Sequence, residues 1–80
     1  MDDKAILERI NTLIGEEHTL LGHEAEEGPA PEHRARLSEI QVTLDQCWDL
    51  LRQRRGFREF GMDADQAAVR DVNTVERYQQ

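Results

Sequence analysis

Residues 37–55 read LSEIQVTLDQCWDLLRQRR, and this stretch decides how the chain folds. Its apolar residues recur at steps of three, four, three and four, which places them on one face of an α-helix. They are Leu37, Ile40, Leu44, Cys47 and Leu51. Trp48 and Gln41 lie beside this face. Because an isolated helix gains little stability from propensity alone, the apolar face is expected to pack against another element.

A second amphipathic pattern fills the beginning of the chain. Asp2 and Asp3 are residue types that favour the start of a helix, and their charge suits the positive end of the helix dipole. The apolar residues that follow are Ile6, Leu7, Ile10, Leu13, Ile14, Leu20 and Leu21. The pattern predicts a helix over residues 3–26.

Glycine and proline mark the ends of the predicted helices. Gly28 and Pro29 stop the first helix in a turn at residues 27–30, and Pro31 suits the first turn of the second helix. The second helix is predicted over residues 31–60, with Gly61 as its C-terminal cap, and the alternative is an earlier end at Gly56.

A turn this short makes consecutive helices antiparallel neighbours. We therefore predict an all-α fold, a coiled-coil-like antiparallel two-helix hairpin over residues 1–60. Folding about the turn pairs residues whose numbers add up to about 58. Residues 61–80 form a C-terminal tail, in which Asp63 and Gln66 predict one short turn and residues 74–79 predict a short helix.

Composition restricts the classes of function. The chain has 80 residues, a length that fits one domain. Its net charge of −7 disfavours general binding to nucleic acid. Cys47 is the only cysteine, so no disulfide forms within one chain. No apolar run is long enough to span a membrane, and the first residues do not resemble a signal peptide. The expected location is the cytoplasm.

Two helices do not enclose a core, because each apolar stripe is wider than one partner helix can cover. A second hairpin, giving a four-helix bundle from a two-fold dimer, is preferred to a monomer covered only by residues 61–80. The predicted self-association face consists of Ile10, Leu44, Cys47, Trp48 and Leu51.

Glu17 interrupts the apolar stripe of the first helix, and the hairpin pairing places Gln41 opposite it. Such a pair is predicted to form a buried polar layer that sets register or oligomeric state. The alternative is a ligand or metal site in a bundle, using Glu17, His18 and Gln41. No histidine has the Glu-x-x-His spacing of metal-binding bundles, so no metal site and no cofactor are predicted.

The end of the second helix is rich in arginine, and the predicted basic cluster is Arg52, Arg54, Arg55 and Arg58. These side chains complement the negative end of the helix dipole. They are expected to form ion pairs with Asp2, Asp3 and Glu59. The alternative is that they contact an acidic partner or nucleic acid. No nucleophile has an activating neighbour, so no catalytic residues and no enzyme activity are predicted. The function predicted is that of a structural or protein–protein interaction module, acting as a homodimer whose outer surface meets an unidentified protein partner.

The stretch DQCWDLLRQRR at residues 45–55 resembles a bacterial family of short uncharacterised proteins, domain-of-unknown-function family 2630. The resemblance extends to residues 6–10, 16–18, 59–61 and 75–78 and covers nearly the whole chain. It implies no activity and no site residue, because the family has no assigned function.

Overall fold

The computed structural model describes residues 2–71 and residue 75. The chain is all-helical over these residues, with two long helices, α1 (Asp3–Glu27) and α2 (Pro31–Glu59), and a short 3-10 turn (Ala64–Gln66). The two helices pack against each other, so the predicted all-α hairpin is confirmed. Within the described residues, neither helix is long and apolar enough to cross a membrane.

The helix ends follow the local sequence. The Asp2 carboxylate accepts a hydrogen bond from the Ala5 N–H at 2.8 Å, which starts α1. Gly28 has a positive φ of 86° and its N–H donates to the Glu24 carbonyl, which ends α1 one residue later than predicted. Pro31 occupies the first turn of α2.

The end of α2 is a Schellman motif. Gly61 has a φ of 73° and donates to the Arg58 carbonyl, and the Met62 N–H donates to the Phe57 carbonyl at 2.7 Å. Gly61 is therefore the cap that the sequence predicts. Gly56 lies inside α2, which continues through it to Glu59.

The core lies between the two helices and under the residues that follow α2. Ile6 and Ile10 of α1 pack with Leu50 of α2, and Ala67 contacts the same cluster. Ile40, Leu13 and Val75 are also buried. Leu50 was absent from the predicted apolar face, because the three–four spacing selected its neighbours Cys47 and Leu51, although Leu50 packs against Ile6 and Ile10 of α1.

Residues 62–71, here called the return segment, run back along α2. The Arg54 guanidinium donates to the Ala64 carbonyl, the Gln53 amide donates to the Ala68 carbonyl at 2.9 Å, and the Gln46 amide donates to the Arg70 carbonyl at 3.2 Å. The order of these contacts makes the return segment antiparallel to α2. One side of the hairpin is therefore covered within the chain, whereas the sequence favoured a second hairpin over such cover.

Asp63 accepts a hydrogen bond from the Asp65 N–H at 2.9 Å and so caps the 3-10 turn, which is the short turn predicted there. The predicted helix at residues 74–79 lies outside the described residues except for Val75.

Candidate functional site

A concave surface lies on α2, and among the described residues its lining includes none of α1. It is an open groove of about 890 Å³, bounded on one side by α2 and on the other by the residues that follow it. We call it the aromatic groove, because its apolar walls are the side chains of Trp48, Phe57, Phe60 and Met62. Phe60 is 84% exposed and Met62 50% exposed, so much of this apolar surface faces water.

One wall of the aromatic groove contains a buried acid. Asp49 is 4% exposed, its carboxylate accepts a hydrogen bond from the Gln53 amide at 2.9 Å, and the Arg70 guanidinium lies 3.4 Å from the same oxygen. A buried charge is tolerated only when it is paired and hydrogen-bonded. Asp49 therefore ties the return segment to α2, and its charge is compensated within the wall.

The open end of the hairpin is held by arginines of α2. Arg54 is 7% exposed, and its guanidinium contacts the carboxylates of Asp3 and Asp65. Arg58 contacts the other oxygen of Asp3 at 2.8 Å. One buried guanidinium thus joins the start of α1, the end of α2 and the 3-10 turn.

These arginines shift the titration of Asp3. Hydrogen bonds from Arg58 and then Arg54 hold the pKa of Asp3 below its ordinary value of 3.8, although burial opposes this effect. At the other end of the hairpin, Arg36 donates to Glu16 at 2.8 Å and lowers the pKa of that carboxyl in the same way. Both carboxylates are therefore stabilised in the charged form by folding.

We expect acid to destabilise the fold through these two groups. A carboxylate whose pKa is lower in the folded state contributes stability above its unfolded pKa and loses it as the pH falls through the folded value. The free energy of unfolding in urea should therefore be constant from neutral pH to about pH 5 and decrease below about pH 4. The Asp3→Asn, Glu16→Gln double variant should show a smaller decrease, and an equal decrease would contradict this assignment.

The predicted basic cluster is split by the structure. Arg54 is buried in ion pairs and Arg58 is bound to Asp3, so neither presents a free charge to a partner. Arg52 and Arg55 are exposed, and neither forms an ion pair within residues 2–71 and residue 75. Asp3, one of the acids expected to pair with this cluster, binds both Arg58 and Arg54. Arg55 does not take part, because position 54 faces α1 and position 55 faces water.

The predicted self-association face is largely used inside the chain. Ile10 is 2% exposed and belongs to the core cluster, so it cannot meet a second copy without opening the core. Leu44, Cys47 and Leu51 are half-buried and pack against that cluster. Only Trp48, 42% exposed, presents a large apolar surface to water.

Burial raises the pKa of the Cys47 thiol, although Arg9 opposes this effect. A raised pKa keeps the thiol protonated at neutral pH and therefore a poor nucleophile.

The predicted buried polar layer is wrong for the single chain. Gln41 is exposed and Glu17 is half-buried. The ion pair that crosses the hairpin near this level joins Glu16 to Arg36 on the edge of the helix interface. Pairing residues whose numbers add up to about 58 gave the correct level of each helix along the other. It could not determine which edge of each helix faces the other.

The alternative ligand or metal site is not assembled. His18 is exposed, as is Gln41, so these side chains do not converge with Glu17 in a protected interior. Among the described residues, no group of three His, Cys, Asp or Glu side chains is arranged to hold a metal ion. His23 and His33 pack edge to face beside the turn, with ring centres 5.8 Å apart.

Sequence comparison identifies relatives along nearly the whole chain. Residues 2–80 match the family described as "Protein of unknown function (DUF2630)". An uncharacterised protein of Mycobacterium bovis and one of Mycobacterium tuberculosis are each 42% identical over 77 residues, covering 95% of this chain and 88% of the relative. No solved structure matches the chain.

Proposed function

The chain belongs to the DUF2630 family, and we propose that it is a protein–protein interaction module that acts as a homodimer in the cytoplasm, not as an enzyme. The observation that carries the proposal is a row of large apolar side chains left in water on one side of the hairpin. Leu7, Leu21 and Trp48 are 45%, 48% and 42% exposed. Apolar surface of this kind marks an interaction site when it is contiguous.

We infer that the three exposed side chains and four half-buried ones form one surface, here called the leucine face. On each helix its members are seven residues apart: Leu7, Ile14 and Leu21 on α1, and Leu37, Leu44 and Leu51 on α2. Trp48 of α2 lies beside the second row. The hairpin pairing sets them at three matched levels along the helix axes, here called layers: Leu7 with Leu51, Ile14 with Leu44, and Leu21 with Leu37. Side chains seven apart lie on nearly the same line along a helix, so each helix contributes one row.

The leucine face lies away from the return segment except at Trp48, which also borders the aromatic groove. Trp48 follows Gln46 by two residues, which is about 200° around the helix, so the two side chains leave α2 in nearly opposite directions. Gln46 holds the return segment, and Trp48 and Leu51 border a recess that Asp3 of α1 also lines. Leu7 is one turn beyond Asp3 on the same edge of α1.

A second copy is the partner that fits this surface. The same three layers occur on every copy, so a two-fold axis can bring apolar surface onto apolar surface in both directions, as an isologous interface requires. The return segment covers the other side of the hairpin, which leaves the leucine face as the side for the second copy. The resulting arrangement is the four-helix bundle expected for paired hairpins.

The proposal is tested by Leu21→Lys. Leu21 is half in water, so the monomer should fold, and the new ammonium group lies between Glu17 and Glu24 on adjacent turns of α1, which favours the helix. In the dimer the same ammonium group would lose its hydration in an apolar interface. Sedimentation equilibrium should show that dimerisation weakens by at least about a hundredfold while helicity is retained.

Phe60→Lys is the matched control, because Phe60 is more exposed than Leu21 but lies on the aromatic groove and not on the leucine face. It should leave the dimer unchanged. A wild-type chain that is monomeric at all concentrations, or a Leu21→Lys variant that remains a dimer, would refute the proposal.

A further inference from the structure

We propose that the aromatic groove binds a small, flat aromatic anion, with its carboxylate or comparable group on Arg52 and its ring against Trp48 and Phe60. The groove and the leucine face share Trp48 at their border, so dye binding is compared between variants in the same state of association. The groove's volume of about 890 Å³ falls within the range of about 300–1,000 Å³ that is typical of sites for small organic molecules. Such sites combine mainly apolar and aromatic walls with a few polar groups, and the groove has this composition.

The walls favour a flat ring. Trp48 projects from α2, and Phe57 and Phe60 follow it in the last turns of the helix and at its cap. Aromatic side chains pack best against another ring in offset or edge-to-face contact. Met62, directly after the cap, adds a flexible apolar side chain that can adapt to the bound molecule.

The charges favour an anion at one end of the groove. Asp49 and Arg70 are bound to each other in the wall, so their charges largely compensate. Arg52 borders the groove and forms no ion pair within residues 2–71 and residue 75. A guanidinium binds a carboxylate through two parallel hydrogen bonds, which gives orientation as well as affinity.

Asp45 determines which end of the groove receives the negative group. It lies seven residues before Arg52, about 10 Å away along the helix, and also borders the groove. Its carboxylate repels an anion placed nearby, so the negative group is directed toward Arg52.

Gly56 leaves the space beside Arg52 open. It lies on the groove in the last turns of α2, has no positive φ, and a Cβ atom built there meets no atom within 4 Å. A larger side chain can therefore be accommodated by the fold while it occupies part of the groove. This makes position 56 suited to a blocking substitution.

The test uses two dyes that differ by one charged group: anilinonaphthalene sulfonate, a flat aromatic anion, and phenylnaphthylamine, its neutral counterpart. Trp48 is the only tryptophan of the chain and borders the groove, so energy transfer from Trp48 to the dye reports binding, and the Gly56→Leu variant locates that binding in the groove. The full chain is titrated with each dye, and its mass in solution is followed by sedimentation.

Three variants separate the contributions. Arg52→Gln should weaken binding of the anionic dye by about tenfold and leave the neutral dye within about twofold, because only the charged contact is lost. Gly56→Leu should weaken both dyes by at least about tenfold, because it fills the groove. Gly22→Leu is the control, since Gly22 also lies in a helix with open space around it but is in α1; it should change neither affinity.

Asp45→Asn provides a test of opposite sign and should tighten binding of the anionic dye, because it removes the repelling carboxylate. The inference is overturned if the anionic dye does not bind, if Gly56→Leu and Gly22→Leu have equal effects, or if Arg52→Gln weakens both dyes equally. Because the dimer is tested by mass and the groove by energy transfer, failure of either proposal can be recognised separately.

Discussion

Replacing Ile40 with alanine is expected to lower the free energy of unfolding by about 3 kcal/mol, which is a large part of the stability of a domain of this size. Ile40 has no exposed surface and lies on the face of α2 that packs against α1. The substitution removes buried methyl groups and leaves a cavity that the two-helix frame can close only in part. Urea unfolding followed by circular dichroism measures the loss as a lower midpoint at an unchanged slope.

Val69→Ala is the control for this prediction. Val69 is 63% exposed on the return segment, so its truncation should change the free energy of unfolding by less than about 0.5 kcal/mol. If the two substitutions had similar effects, Ile40 would not be a core residue and the packing of α2 on α1 described above would be wrong.

Replacing Arg54 with alanine is expected to lower the melting temperature by about 10 °C, whereas Arg55→Ala should change it by less than about 2 °C. The two arginines are adjacent in sequence, but only Arg54 is buried and bound to Asp3, Asp65 and the Ala64 carbonyl. Its removal leaves the carboxylate of Asp65 and the carbonyl of Ala64 without this donor. Thermal unfolding followed by circular dichroism compares the two variants.

Arg54→Ala should also loosen the return segment, because Arg54 binds the 3-10 turn of that segment directly. Trypsin should therefore cleave after Arg70 faster in Arg54→Ala than in Arg55→Ala or the wild type. Equal cleavage rates would show that Gln46, Gln53 and Asp49 hold the return segment without Arg54.

The hairpin could be predicted from the sequence because its signals are local. Asp2, Gly28, Pro31 and Gly61 act through the backbone of their own turn, so the helix ends fall within about a residue or two of the predictions. The stripes of apolar residues repeat with the helical period, so the pairing of α1 with α2 followed from the spacing alone.

The aromatic groove could not be predicted, because the return segment forms part of its wall. Asp49 is buried and paired with Arg70 of the return segment, and the sequence of α2 gives no sign of this contact. The polar residues that hold the return segment, Gln46 and Gln53, have the composition of a solvated helix face.

The sequence by itself determined that this chain is a short acidic hairpin with caps at known places and one apolar stripe on each helix. Only the tertiary structure decided which edge of each helix meets the other, and therefore that Glu16 pairs with Arg36 while Gln41 remains in water. It also decided that Arg54 is buried while Arg52 borders an open groove. The reason is that helical periodicity determines a residue's position around its own axis, whereas burial depends on which segments from elsewhere in the chain cover that position.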